Sequence, residues 1–133
     1  MKQTPGLQTA HKTILLVDDD AAILRFISGL LVKYKYNVLV ASSGREALQV
    51  SRDCNCAIDL LLSDFEMPGM NGISLAAELS LDRPQIKVLL MSGFTSGMLV
   101  LNEGWHFLAK PFVPSQLRAL IKGLISPDEH SKL

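Results

Sequence analysis

Five short apolar runs, Thr13 to Val17, Asn37 to Ala41, Asp59 to Ser63, Lys87 to Met91 and His106 to Ala109, set the strongest limit on what this chain can fold into. Each has strand length, and most are continuous Leu, Ile and Val with little polar alternation. Such runs belong to strands covered on both faces, as in a parallel sheet between two layers of helices. The segments between them carry helical spacing. Ile23, Phe26, Ile27, Leu30 and Leu31 fall on one apolar stripe, and Leu117, Leu120, Ile121 and Leu124 form another after Pro114, which suits a first helical turn. Ser43-Gly44-Arg45-Glu46 has the form of a capping box and opens a second helix. A third starts after Gly72, runs through Ile73, Ala76 and Ala77, and stops at Asp82-Arg83-Pro84, because proline disfavours helical geometry in the residue before it. Strand and helix therefore alternate five times, which implies right-handed crossovers and an α/β fold with helices on both faces of a parallel sheet.

Size and charge narrow the class further. A chain of 133 residues with 48% hydrophobic and 20% charged residues is one globular domain, and no apolar run approaches the roughly 18 to 20 residues that cross a bilayer. Thirteen basic residues balance thirteen acidic ones and none of the basic residues cluster, which excludes direct nucleic-acid binding. Met1 to Lys12 lacks the apolar core of a signal peptide, so a cytoplasmic location is expected. Cys54 and Cys56 read as ordinary thiols, since no second pair or nearby histidine makes a zinc site, and they stand too close together to staple a fold.

In an open parallel sheet the chemistry sits beyond the carboxyl ends of the strands. There the sequence places Asp18, Asp19 and Asp20 after the first strand, Asp64 after the third, Ser92 after the fourth and Lys110 after the fifth. Each has a plain structural reading: Asp20 as the cap of the helix starting at Ala21, Asp64 as the opening of a turn through Pro68 and Gly69, Ser92 as a turn residue before Gly93, Lys110 as a solvated lysine. Together they ask for more, because crowded carboxylates repel unless a cation or a proton relieves them. Hard oxygen ligands suit Mg²⁺, which keeps several waters and leaves room for phosphate oxygens, and a lysine and a hydroxyl beside it are donors to a phosphoryl group.

Four segments carry a family resemblance: Ile14-Leu15-Leu16-Val17-Asp18-Asp19-Asp20, Leu61-Leu62-Ser63-Asp64-Phe65-Glu66-Met67-Pro68-Gly69-Met70-Asn71-Gly72, Leu90-Met91-Ser92-Gly93 and Ala109-Lys110-Pro111-Phe112. In order and spacing they resemble the signature segments of response-regulator receiver domains in two-component signalling, and the region from Ser92 to Phe112 is similar to receivers attached to hybrid histidine kinases. The resemblance implies a flavodoxin-like, doubly wound five-stranded sheet of order 2-1-3-4-5. It implies a receiver domain over 12–125, with 1–11 and 126–133 as flexible tails. It further implies that Asp64 is the phosphoacceptor, taking a phosphoryl group from a phosphohistidine. Asp19, Asp64 and the backbone carbonyl of Glu66 would hold Mg²⁺ directly, and Asp18 largely through water. Ser92 is the implied switch hydroxyl, Lys110 the lysine that pairs with the acceptor and then with the phosphoryl group, and Phe107 the aromatic switch. The Lys110-Pro111 bond is expected to be cis. No histidine of the chain is needed at the site.

The implied activity is that of a phosphorelay signalling domain, not an enzyme with turnover beyond self-phosphorylation and autodephosphorylation. Its partners would be a histidine kinase or a histidine phosphotransfer protein, and a downstream protein or a fused domain missing from this chain. Only seventeen residues lie between Ser92 and Lys110, so the fourth helix must be short, and Met98 to Leu101 form either a partner surface or part of the core. A homodimer is left open. Phe94 lies where the family tunes loss of the phosphoryl group. Two other classes compete: a pseudo-receiver that only binds partners, and a haloacid-dehalogenase-type phosphatase, suggested by the Asp18-x-Asp20 spacing but lacking a Thr or Val at Ala22, a cap domain and a role for Asp64.

Overall fold

A strand whose two faces are both buried selects for apolar side chains at every position, and β1 (Thr13–Val17) is buried along its whole length. It lies in a five-stranded parallel sheet with β2 (Asn37–Ala41), β3 (Leu60–Asp64), β4 (Lys87–Ser92) and β5 (Trp105–Ala109), in the order β2-β1-β3-β4-β5. The computed structural model describes residues 11–93 and 105–125. The short fourth helix expected between β4 and β5, with Phe94 and Met98 to Leu101, lies outside the described residues, as do the segments 1–10 and 126–133.

Alternate residues of each strand serve opposite layers, as the two-residue period of a strand requires. Leu15, Val17, Leu61, Val88 and Leu90 face Ala47, Leu48, Leu75 and Leu79 of α2 (Gly44–Asp53) and α3 (Gly72–Asp82). Ile14, Leu16, Leu60, Leu62, Leu89 and Met91 face Ile27 and Leu31 of α1 (Ala21–Lys33) and Leu117 and Ile121 of α4 (Pro114–Leu124). Each fully buried Leu or Ile contributes on the order of 1.5–3 kcal/mol of transfer free energy, so a slip by one residue, which would turn every strand over, is strongly disfavoured.

Local chemistry starts the helices where the chain needs them. The Asp20 carboxylate accepts from the backbone N–H of Ala22 and Ile23 and caps α1. Ser43 caps α2 through the N–H of Glu46, and Asn71 caps α3 through the N–H of Ser74. Pro114 occupies the first turn of α4. The capping box expected at Ser43 forms by halves, because Glu46 turns its carboxylate to the N–H and hydroxyl of Ser42 rather than to Ser43. Those bonds hold the Glu46 carboxyl below its usual pKa.

Ser92, expected just beyond the fourth strand, is the last residue of β4, and three further expectations need correction. The third strand is shifted by one residue, so that Asp64 is its last residue instead of the first beyond it. Its N-terminal neighbour Asp59 uses its carboxylate to accept from the Thr13 N–H at 2.8 Å. Phe26 leaves the buried stripe of α1 and is 56% exposed, because the packed face of that helix is centred on Ile27 and Leu31. Cys54 and Cys56 are not free thiols. They are joined by a disulfide, which their Cα–Cα separation of 5.2 Å allows.

Candidate functional site

The parallel register brings the carboxyl ends of β1, β3, β4 and β5 to one edge. Val17 is level with Ser63, Asp64 with Met91, and Ser92 with Ala109, so the residues at or just after those positions converge although they are far apart in sequence. The backbone continues the ladder past the strands: Phe65 N–H donates to Met91 O at 2.7 Å, and Lys110 N–H donates to Ser92 O at 2.7 Å. These bonds fix the backbone on which Asp64 and Lys110 are carried.

One glycine is required here by space. A Cβ on Gly72, the first residue of α3, would stand 2.5 Å from the backbone oxygen of Asp64 and 3.1 Å from Phe65 Cα. Gly72 N–H also donates to Phe65 O at 2.9 Å, so the start of α3 presses directly on the end of β3. The turn between them runs through Gly69, whose φ of +82° is one that glycine adopts without strain. The Pro-Gly-Met-Asn-Gly string therefore folds back tightly enough to hold Asp64 in place.

Carboxylate oxygens of Asp18, Asp19 and Asp64 lie within 4.8 Å of one another. Asp18 is buried, Asp64 half-buried and Asp19 exposed, which grades the cluster from the protein interior to solvent. Lys110 Nζ donates to Asp64 Oδ1 at 3.1 Å and stands 3.6 Å from Asp18 Oδ2. Asp18 Oδ1 accepts from the Asp20 N–H at 2.9 Å, whereas its buried Oδ2 accepts no hydrogen bond from the described residues. Burial raises the Asp18 carboxyl above its ordinary pKa, against the lowering effects of the Asp20 N–H and of Lys110, and the nearby Asp64 and Asp19 charges raise it further. Burial also works against the Lys110 ammonium, but the hydrogen bond and charge of Asp64, with the charge of Asp18, outweigh it and hold that pKa above normal.

Among the described residues the Lys110 ammonium thus pairs with two of the three clustered carboxylates, and Asp18 Oδ2, 3.6 Å from it, accepts no hydrogen bond. The donor set is all oxygen, carries excess negative charge and is open on the Asp19 side, which fits a small hard divalent cation with room for waters and further oxygens. Asp20 stands apart from this set, since its carboxylate is engaged in capping α1.

The other expected site residues lie on β4, on β5 and on the loop after β3. Ser92 ends β4 and is 2% exposed. Glu66 is exposed on the loop after β3. Phe107 is half-buried on β5 and packs against the layer that contains Leu90 and Trp105. The Lys110-Pro111 bond is cis, as expected. The sequence did not reveal that Lys110, Pro111 and Phe112 form one wall of a groove of about 440 Å³, whose other wall is Ile23, Phe26 and Ile27 of α1. An aromatic residue on an apparently regular apolar stripe gave no sign of being exposed.

Comparison with known proteins places this arrangement. Residues 14–122 match the response regulator receiver domain family. The chain is 36% identical over 109 residues to the two-component response regulator ARR14 of Arabidopsis thaliana, covering 79% of this chain and 28% of that protein. It is 32% identical over 121 residues to the sensor kinase CckA of Brucella abortus, covering 88% of this chain and 13% of the kinase. It therefore spans well under a third of the length of either protein. Among solved structures, the response regulator TrrA of Thermotoga maritima, in complex with Mg²⁺ and BeF, superposes with a TM-score of 0.76 at 28% identity, covering 86% of this chain and 99% of that one.

Proposed function

The chain belongs to the response regulator receiver domain family, the phosphoryl-accepting signalling module of two-component systems, and from that membership we propose that Asp64 is its phosphoacceptor. The observation that carries this reading is the ion pair of Lys110 with Asp64 at 3.1 Å, inside a cluster of three carboxylates whose oxygens lie within 4.8 Å. Asp64 is the member of that cluster at the end of the central β3, half-buried and open to a reacting phosphorus.

The residues present fit Mg²⁺, with Asp18, Asp19, Asp64 and the Glu66 carbonyl to hold it, and the unbonded Asp18 Oδ2 supports that assignment. When bound, the ion would neutralise charge on the phosphoryl oxygens. The protein's part is positioning. An Asp64 oxygen attacks the phosphorus of a phosphohistidine, the P–N bond breaks, and the imidazole leaves as the aspartyl phosphate forms. Lys110 keeps its charge throughout, first beside the carboxylate and then beside a phosphoryl oxygen. Ser92, at the end of β4, donates its hydroxyl to another phosphoryl oxygen, and Phe107 responds from β5 by a shift between two packings. Signalling then passes through a protein surface to a partner kinase or phosphotransfer protein and to a downstream protein or fused domain, and the location proposed for the domain is the cytoplasm. No described helix is long and apolar enough to cross a membrane. The domain occupies 12–125.

The phosphatase alternative loses its motif, since Asp20 caps α1 and does not join the carboxylate cluster. Intact-mass measurement after incubation with Mg²⁺ and acetyl phosphate tests the proposal. One phosphoryl adduct on the wild type and none on Asp64→Asn is the expected result. An equal adduct on both proteins would reject Asp64 as the acceptor, and no adduct on either would favour a receiver that only binds partners.

A further inference from the structure

The Cys54–Cys56 disulfide lies at the opposite end of the sheet from the carboxylates, where α2 runs out and the chain turns toward β3. A bridge between residues two apart closes a very small loop and removes little conformational freedom from the unfolded chain. It is therefore a poor staple, and the segment is already held without it. Arg83, which ends α3, donates from Nε to the Ser51 hydroxyl at 2.8 Å, from Nη1 to Cys56 O at 2.8 Å, and from Nη2 to Ser51 O at 2.9 Å and Cys54 O at 3.4 Å. One guanidinium thus grips the carbonyls of both cysteines and the last turn of α2.

That clamp holds the carbonyls on either side of Asn55, with the two cysteine Cα atoms 5.2 Å apart. The two positions differ in burial: Cys54 is 8% exposed, while Cys56 is half-buried at the edge of the same core cluster. A less buried cysteine beside a more buried one, with both backbone carbonyls held by one guanidinium, suits an attacking and a resolving cysteine.

We propose that Cys54 and Cys56 form a reversible thiol–disulfide site that exchanges with a low-molecular-weight disulfide such as oxidised glutathione. The Cys56 thiolate attacks one sulfur of the external disulfide, breaking its S–S bond, forming a mixed disulfide and releasing one thiolate. The Cys54 thiolate then attacks Cys56 Sγ, closing the internal bridge and releasing the second. The protein pair loses two electrons and two protons, and the external disulfide gains them as two thiols. Arg83 acts as a positioning residue by holding both carbonyls.

The two cysteines are the only ones in the chain, so the full-length protein serves directly. It is equilibrated in buffers of graded reduced and oxidised glutathione, trapped with N-ethylmaleimide and weighed intact, with circular dichroism recorded in parallel. The expected result is conversion from a doubly alkylated to an unalkylated species as oxidised glutathione rises, reversed on adding the reduced form, with the far-UV spectrum unchanged. Cys54→Ser is expected to accumulate a glutathione adduct at Cys56 at least ten times faster than Cys56→Ser does at Cys54. In Arg83→Gln the glutathione ratio at half-closure is expected to move at least threefold toward the oxidised form. The proposal is overturned if the wild type stays doubly alkylated in every buffer, if opening or closing occurs only with unfolding, or if the two single variants react at equal rates.

Discussion

The two ends of the sheet treat their polar groups in opposite ways. At the amino-terminal end, each group named here is closed within the protein. Asp59 accepts from the Thr13 N–H, Asn37 Nδ2 donates to His11 O and to Thr13 Oγ1, Tyr36 donates its hydroxyl to Ile125 O, and Arg83 has acceptors on Ser51, Cys54 and Cys56. At the carboxyl end, three carboxylates crowd together, Lys110 pairs with two of them, and Asp18 Oδ2 is left without a hydrogen bond among the described residues. Buried polar groups are ordinarily satisfied, since each one left unpaired costs roughly 1–3 kcal/mol. The first end is therefore finished by folding, and the second is left for something that binds.

The contrast breaks most severely where the two kinds of edge depend on one backbone. Gly72→Ala forces a Cβ against Asp64 O, and overpacking against a rigid backbone is expected to destabilise the protein by about 3 kcal/mol, read as a lower urea midpoint. Because the clash falls on the residue that bears the acceptor, phosphoryl uptake from acetyl phosphate should fall as well, even at temperatures where the variant is fully folded.

Arg83→Ala sharpens the same comparison from the finished end. It strips donors from four acceptors and should cost about 2 kcal/mol in the urea midpoint, while leaving Mg²⁺ affinity within twofold of wild type. A large loss of Mg²⁺ binding in this variant would mean that the two ends are not independent.

Tyr36 gives the finished end a signature in pH. Burial pushes its hydroxyl up to about 12, against the lowering effect of the Arg118 charge. A folded pKa above the unfolded value near 10 means that the contribution to stability is complete below about pH 10 and is lost as pH rises through about 12. By pH 11 the loss from this group should reach about 1 kcal/mol, and it should be absent from Tyr36→Phe when the two proteins are compared across the same pH series.

Asp18→Asn should have the smallest effect on folding and a large one on binding. Removing one charge from a crowded, partly buried set relieves repulsion as it loses attraction to Lys110, so stability without metal should stay within about 1 kcal/mol of wild type. Mg²⁺ affinity, measured by calorimetry, should fall at least tenfold. A marked destabilisation without metal would show that Asp18 belongs to the folded framework and not to a binding site.

Much of this was legible in the chain. Continuous burial of β1 and β3 is written directly as Leu, Ile and Val, and the rule that chemistry lies beyond the carboxyl ends of parallel strands was enough to bring Asp18, Asp19, Asp64 and Lys110 together. The strand order came from family resemblance, because periodicity carries no information about which strands are neighbours. What stayed hidden depends on contacts remote in sequence. Arg83 read as the end of a helix because its four acceptors lie 27 to 32 residues away. Cys54 and Cys56 read as free thiols because the bridge depends on how the chain turns between α2 and β3, and Phe26 read as core because a helical stripe does not announce where its packed face ends.

The most direct test of the contrast is a titration of the protein with Mg²⁺, followed by beryllium fluoride as a phosphoryl mimic, observed through backbone amide NMR shifts. Saturable shifts confined at first to Asp18, Asp19, Asp64, Glu66 and Lys110, extending to Ser92 and Phe107 when beryllium fluoride is added, with Thr13, Asn37, Asp59 and Arg83 unmoved, are what an edge completed from outside predicts. Shifts centred on Asp59 and Arg83, or no saturable response at the carboxylates, would contradict it.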